Sequence, residues 1–143
     1  MQAVTWSPDM ALGVPEMDDA HKALMEEFAR LDAAPDDQFG AGFLALITAL
    51  ERDFQGEEAL MEQIDFPALR SHREQHARVL SGLHHVAPDV MRGDFTLGRE
   101  ATKLLPQWFQ FHLLTMDAAL AVALEWADLP AQSPSLGSPG PIA

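Results

Sequence analysis

Cysteine is absent from this 143-residue chain, so it has neither a disulfide framework nor a thiolate metal site. Basic residues are scarce: nine Lys and Arg stand against 22 Asp and Glu, a formal net charge of −13. That balance repels nucleic acid and anionic membranes and argues against both as partners. No stretch approaches the ~18 uninterrupted apolar residues of a membrane span. The N-terminus lacks the charged-then-apolar pattern of a signal peptide, and the cytoplasm is the expected compartment. Strand alternation and internal repeats are missing too. What remains is a chain with 48% apolar residues, long enough for one domain with a real core.

Helical periodicity fills most of it. Residues 1 to about 16 carry turn formers and no period, which predicts an extended arm anchored by Trp6. The stripe Met17, His21, Leu24, Phe28, Leu31 predicts a first helix from about Asp18, with acidic residues favourable in its first turn. A second helix is expected from about Ala41 to Ile64. A third should run from a cap at Asp65 to about Val86, broken by the segment Ala87-Pro88-Asp89 to Gly93-Asp94. The fourth, capped by Asp94 or Thr96, should reach about Ala127, with Pro106 kinking or breaking it. Its stripe reads Ala101, Leu105, Trp108, His112, Thr115, Ala119, Val122, Trp126. The Pro-, Gly- and Ser-rich segment 129–143 is expected to be disordered. Four amphipathic helices with short connections predict an all-α, antiparallel up-down four-helix bundle over residues 1–128.

The stripes contain residues that do not belong in an apolar core. Asp53 and Glu57 lie four apart in the second, between Leu50 and Leu60; His72 and His76 lie four apart in the third, between Leu69 and Val79. Four helical residues advance about 400°, so each pair projects from one face, and here that face points inward. His21 and His112 occupy the same kind of position on the first and fourth helices. A lone histidine in such a stripe is commonly a satisfied core residue. Six inward polar residues over four helices need many mutual hydrogen bonds or a metal. Asp117 is turned about 140° from His112, and spacing leaves it open between ligand and surface carboxylate. Imidazole and carboxylate without sulfur suit iron, manganese or zinc, and this many donors favours two ions bridged by carboxylates. His72-Arg73-Glu74-Gln75-His76 is not the zinc protease signature, and the Glu-x-x-His pair of ferritin-like di-iron proteins is absent.

From about residue 6 to 120 the chain resembles the hemerythrins, specifically the bacterial hemerythrin-like proteins. The resemblance rests on Trp6, Gly13-Val14, Asp18 with His21-Lys22 and Leu24, and Phe54-x-x-Glu57-Glu58-x-x-Met61. It continues through Pro67, His72-x-x-x-His76, Trp108 and His112-x-x-x-x-Asp117. It implies a four-helix bundle around two Fe ions with an oxo or hydroxo bridge, a non-haem centre that binds dioxygen. His72, His76 and His112 would hold one iron and His21 the other, with Glu57 and Asp117 bridging.

Asp53 departs from the family pattern, which has a histidine there, and Ala20 stands where glutamine is frequent. A carboxylate at position 53 removes one positive charge from the site. That favours ferric iron and so autoxidation. Gly56, a costly residue inside a helix, is expected to let a neighbouring helix come close. The function implied is dioxygen carriage, storage, delivery or sensing rather than catalysis, with dioxygen, another diatomic or peroxide as ligand. The alternatives are a di-iron oxidase or peroxidase-like enzyme, or an iron-handling protein. His84 and His85 are expected at the surface, Glu58 and Glu62 in solvent, Trp108 packed around the site, and Phe109 or Phe111 in the core or beside a ligand pocket.

Overall fold

A computed structural model describes residues 4–132 of the protein, with side chains to residue 127. Each long helix follows its apolar stripe: α1 is Pro15–Ala33, α2 Asp36–Gln63, α3 Leu69–Met91 and α4 Thr96–His112. A π-helical turn, Leu113–Asp117, joins α4 to α5, Ala118–Gln132, so that the two make the fourth rod of the bundle. α1 packs on α2 and α4, and α3 packs on the same two. This closes the antiparallel up-down ring expected from short connections. No strand occurs among the described residues.

Several boundaries differ from expectation, each for a local reason. α2 starts five residues before Ala41, because Asp36 and Asp37 suit the positive end of a helix. Asp65 does not cap α3, which begins after Ala68. It terminates α2 instead: its φ is 51°, its N–H reaches Glu62 O, and Phe66 N–H reaches Met61 O at 2.9 Å. That is a Schellman motif with Asp65 in the left-handed position, and Phe66 and Met61 meet in the same apolar cluster. Pro88 does not stop α3. The stop is Gly93, at φ 91°, where Asp94 N–H returns to Asp89 O and closes a second Schellman motif. Asp94 also accepts from Thr96 N–H at 3.2 Å, in keeping with its expected part in starting α4. Gly98 is required by packing, since a Cβ there would lie 2.7 Å from Val90 and 3.0 Å from Phe39.

Pro106 lies inside α4 without ending it, and the irregularity falls seven residues later, at the π turn. Ala118 N–H there bonds Leu113 O, five residues back. The extra residue in that turn rotates the remainder of the rod by about one helical position, roughly 100°. Beyond it Asp117, Leu120 and Ala121 are buried, while Val122 and Trp126, expected inward, are exposed. α5 continues to Gln132, past the expected end near Ala127. Of the expected 129–143 tail, residues 133–143 lie outside the described residues.

The arm before α1 contains one 3-10 turn, Pro8–Met10. Trp6 packs on the core only in part; Met10, at 1% exposure, is the deeper anchor. Asp18 ties the arm down by accepting from Leu12 N–H at 2.7 Å and Gly13 N–H at 3.2 Å. Two apolar clusters fill the interior. The larger includes Phe28, Phe43, Leu50, Phe54, Leu83 and Phe109, and the smaller is built on Met17, Met61 and Leu120. Several inward polar residues fall where the clusters meet: His21 between Met17 and Leu24, Glu57 between Phe54 and Met61, and Asp117 between Leu113 and Leu120.

Candidate metal centre

His21, Glu57, His72, His76, His112 and Asp117 are all buried, each at 3% exposure or less, in the layer between the clusters. The four-residue spacings put Glu57 below Asp53 on α2, and His72 beside His76 on α3. His112 and Asp117 are five apart, a spacing that diverges in an α-helix. The π turn between them closes that angle and turns both inward.

On the α3–α4 side three imidazoles converge. His112 Nε2 lies 3.2 Å from His72 Nε2 and 3.1 Å from His76 Nε2. Glu57 Oε1 lies 3.2 Å from His76 and 3.5 Å from His72, while Asp117 Oδ1 lies 3.0 Å from His72 and 3.2 Å from His112. On the α1–α2 side His21 Nε2 stands 3.0 Å from Glu57 Oε2 and 3.2 Å from Asp117 Oδ2. Each carboxylate thus divides its two oxygens, one to the triple-histidine side and one to His21. Asp53 completes the second group, with donor atoms of His21, Asp53 and Glu57 within 4.8 Å of one another.

These donors fit metal ions better than they fit each other. Glu57 Oε1, both Asp117 oxygens and Asp53 Oδ2 are buried without a hydrogen-bond partner. Each such orphan costs roughly 1–3 kcal/mol when nothing satisfies it. An octahedral ion holding donors at ~2.1 Å would set neighbours about 3.0 Å apart, close to the spacings on the triple-histidine side.

Charge is poised accordingly. Burial draws the His21 imidazole toward neutrality, but Asp117 and Glu57 outweigh it and push its pKa up to about 10. The same balance raises His72 to about 9. Asp53 is pushed up to about 8, first by burial and then by the Glu57 charge. Asp117 is held well below the usual carboxylate range: burial opposes this, but the close His112, His21 and His72 imidazoles prevail. Without metal, protons on His21 and His72 take the place of cations.

The sequence model of the Hemerythrin HHE cation binding domain matches residues 12–124. The chain belongs to the hemerythrin family. A bacteriohemerythrin of Ralstonia nicotianae is 33% identical over 124 residues, which cover 87% of this chain and 90% of that protein. A bacteriohemerythrin of Pseudomonas aeruginosa is 25% identical over 128 residues, covering 87% and 83%. Hemerythrin-family membership and this donor cluster together make the chain a metal-binding protein of that family.

Two polar partners behind the hemerythrin site escape a reading by periodicity. Glu58, expected in solvent, accepts from His76 Nδ1 at 2.9 Å and is held in turn by Arg73 at 3.1 Å. Gln75 Oε1 accepts from His112 Nδ1 at 3.1 Å. Each bond fixes the proton on Nδ1 and aims the Nε2 lone pair inward. Aromatic rings complete the packing. Phe54 stacks on His76 at 3.9 Å, Trp108 on His112 at 4.9 Å, and Phe109 meets His21 edge-on at 5.4 Å. Phe111 is exposed and takes no part; His84 and His85 lie at the surface as expected. Glu62 is 61% exposed and pairs with Arg73.

Gly56 does not bring a helix closer. A Cβ there would meet nothing within 4 Å. It opens instead on a groove of about 600 Å³ between α1 and α2, whose lining includes Asp53 and Glu57.

Proposed function

We propose that this chain is a non-haem di-iron protein that binds dioxygen, for carriage, storage, delivery or sensing, and that it autoxidises readily. The observation that supports this best is the division of Glu57 and Asp117 oxygens between the triple-histidine side and His21. That pattern suits two ions held side by side, where a single ion would use one oxygen of each. His72, His76 and His112 would hold one ion, His21 and Asp53 the other. Two iron ions held there would supply the electrons that side chains lack for taking up dioxygen as a ligand.

The chain's own part is positioning and exclusion. Glu58 and Gln75 orient two of the imidazoles. Phe54 and Trp108 cover the triple-histidine side and Phe109 packs on His21, while Asp53 and Glu57 on the α1–α2 side line a groove open to small ligands. No described helix is long and apolar enough to cross a membrane, and a cytoplasmic site of action belongs to this reading.

Asp53 supports a second reading. A third carboxylate beside the ions favours their ferric state, as in an oxidase or a peroxidase-like enzyme. One titration separates the two. Reduced, iron-loaded protein exposed to dioxygen should develop charge-transfer absorption that disappears on deoxygenation. Repeated release of peroxide under a continuous supply of reductant, with no reversible phase before the iron turns ferric, favours the oxidase. A reversible phase that then decays once to ferric protein is the autoxidising oxygen binder. Absence of iron uptake removes both.

A further inference from the structure

Six of the eight large apolar side chains left exposed among the described residues lie on one rod of the bundle, the fourth. They are Leu97, Leu104, Phe111 and Leu114 on α4 and the π turn, with Val122 and Trp126 on α5. Leu97, Leu104 and Phe111 repeat every seven residues, so each lies only about 20° round the helix from the last. Leu114 follows within one turn. The extra residue of the π turn makes the eight-residue step to Val122 act as one of seven, and Trp126 is one turn further. All six fall in a band roughly 120° wide and about 44 Å long. α1 and α3 pack on α4, whose buried face carries Leu105 and Phe109, and the band is left outward.

Area and charge indicate what covers it. Phe111 is 67% and Trp126 69% exposed. Together the six side chains present on the order of 500 Å² of apolar surface, near the most that a monomer ordinarily shows. Glu100, Gln107 and Thr115 lie exposed along the band. With them the face approaches the ~800 Å² that each partner gives to a standard interface, in the apolar proportion of a homodimer.

This rod is also where a second acidic chain can approach. Of the net charge of −13, Thr96–Trp126 contributes only −1, from Arg99 and Lys103 against Glu100, Asp117 and Glu125, and Asp117 is buried. The remainder of the chain carries the rest, so copies meeting elsewhere would repel. Nor do the two cations call for an acidic partner. Arg99 lies 2.7 Å from Asp36 and Lys103 3.0 Å from Asp32 of the same chain. A neutral apolar seam repeating once per heptad is complementary to itself.

We propose that the outer face of the fourth rod is a homodimer interface, covered in solution by the same face of a second copy. This goes beyond dioxygen binding and requires no metal.

Sedimentation velocity on the full chain tests it across a concentration series. The mass should rise from 15.7 kDa toward twice that value, with a micromolar Kd, the weak end for a face of this size. Added salt should tighten the dimer by screening the repulsion between two acidic chains. Leu104→Glu and Phe111→Glu each put a carboxylate on both facing seams and should weaken it by about 100-fold. Leu104→Gln, which adds no charge, should weaken it by about 10-fold through lost apolar burial. It guards against a glutamate that disturbs the helix, and circular dichroism should be the same in all variants. Met91→Glu alters an exposed apolar residue off the band and should leave the dimer intact. A monomer at every concentration would give the band to residues 133–143 of the same chain or to a different protein, and would overturn the proposal. So would a dimer weakened by salt, one that survives both glutamates on the fourth rod, or one broken equally by Met91→Glu.

Discussion

On the α3–α4 side of the centre three imidazoles meet, with two of their outer nitrogens held by Glu58 and Gln75 and aromatic rings stacked behind. On the α1–α2 side a single, fully buried imidazole stands with Asp53 and Glu57, these two carboxylates line an open groove, and the Nδ1 of His21 has no partner. One side is braced and ring-packed, the other sparsely held and beside a groove. The contrast suggests a division of labour: the triple-histidine side secures metal, and the His21–Asp53 side, where ligands can enter, governs reactivity.

The largest effect should come from breaking the braced side. His76→Ala leaves Glu57, Glu58 and the remaining imidazoles underpaired in a buried layer. It should cost roughly 3–5 kcal/mol of stability and strip iron from that side, read by denaturant melts and iron analysis. The sparse side should respond differently. On the di-iron reading, Asp53→Ala should remove one iron and spare the other, which a metal assay per chain will show. Asp53→His should restore a positive charge to the centre and slow autoxidation. If Asp53→Ala and Asp53→His both leave iron content and autoxidation unchanged, Asp53 is a bystander.

A milder perturbation tests the bracing itself. Glu58→Gln keeps an acceptor for His76 Nδ1 but removes its charge, and should lower metal affinity by about 10–100-fold. Competition with a chelator measures that. The same change leaves the His21 side untouched, so the second iron should be lost no faster than in the unaltered protein.

The gentlest probe is pH. His21 and His72 have folded pKa values raised from 6.5 to about 10 and about 9. Their contribution is therefore fully present below pH 6.5 and lost as pH rises through 9 and 10. Asp53, raised from 3.8 to about 8, contributes in the same sense, with full effect below 3.8 and loss through 8. Asp117 and Glu57, both lowered, contribute above the ordinary carboxylate range and lose that contribution as pH falls. Metal-free protein should therefore soften from pH 6.5 upward. Metal displaces the same protons, so its added stability should grow over that interval. Thermal melts with and without metal should diverge as pH rises; parallel curves would mean that protons and metal do not compete for these imidazoles.

Much of this was legible in the sequence because polar residues broke apolar stripes. Asp53, Glu57, His72, His76, His21 and His112 each interrupt a three-four rhythm, and all lie in or beside one layer. Asp117 was not legible by rhythm. A π turn leaves no periodic trace, and that turn both swings Asp117 inward and throws Val122 and Trp126 outward. Glu58 and Gln75 were missed for another reason: each sits one step off its helix's inward face, where the pattern reads as solvent. The stop at Asp65 rests on one left-handed residue that reads as a cap of the next helix beside Pro67, and within the expected break from Ala87 to Asp94 it is the left-handed Gly93, not Pro88, that ends α3. The groove could not be read from Gly56 alone, since a small residue serves close approach and open space alike. The facing Ala20 and Ala23 decide which.

The claim on which the rest depends is that Glu57 and Asp117 span two unlike metal positions. Mössbauer spectroscopy of protein loaded with isotopically enriched iron reads it directly. Two iron signals of equal area and different quadrupole splitting are expected, one from the triple-histidine position and one from the His21–Asp53 position. Asp53→Ala should lose only the second. A single signal from one iron per chain, unaltered by Asp53→Ala, would contradict the account.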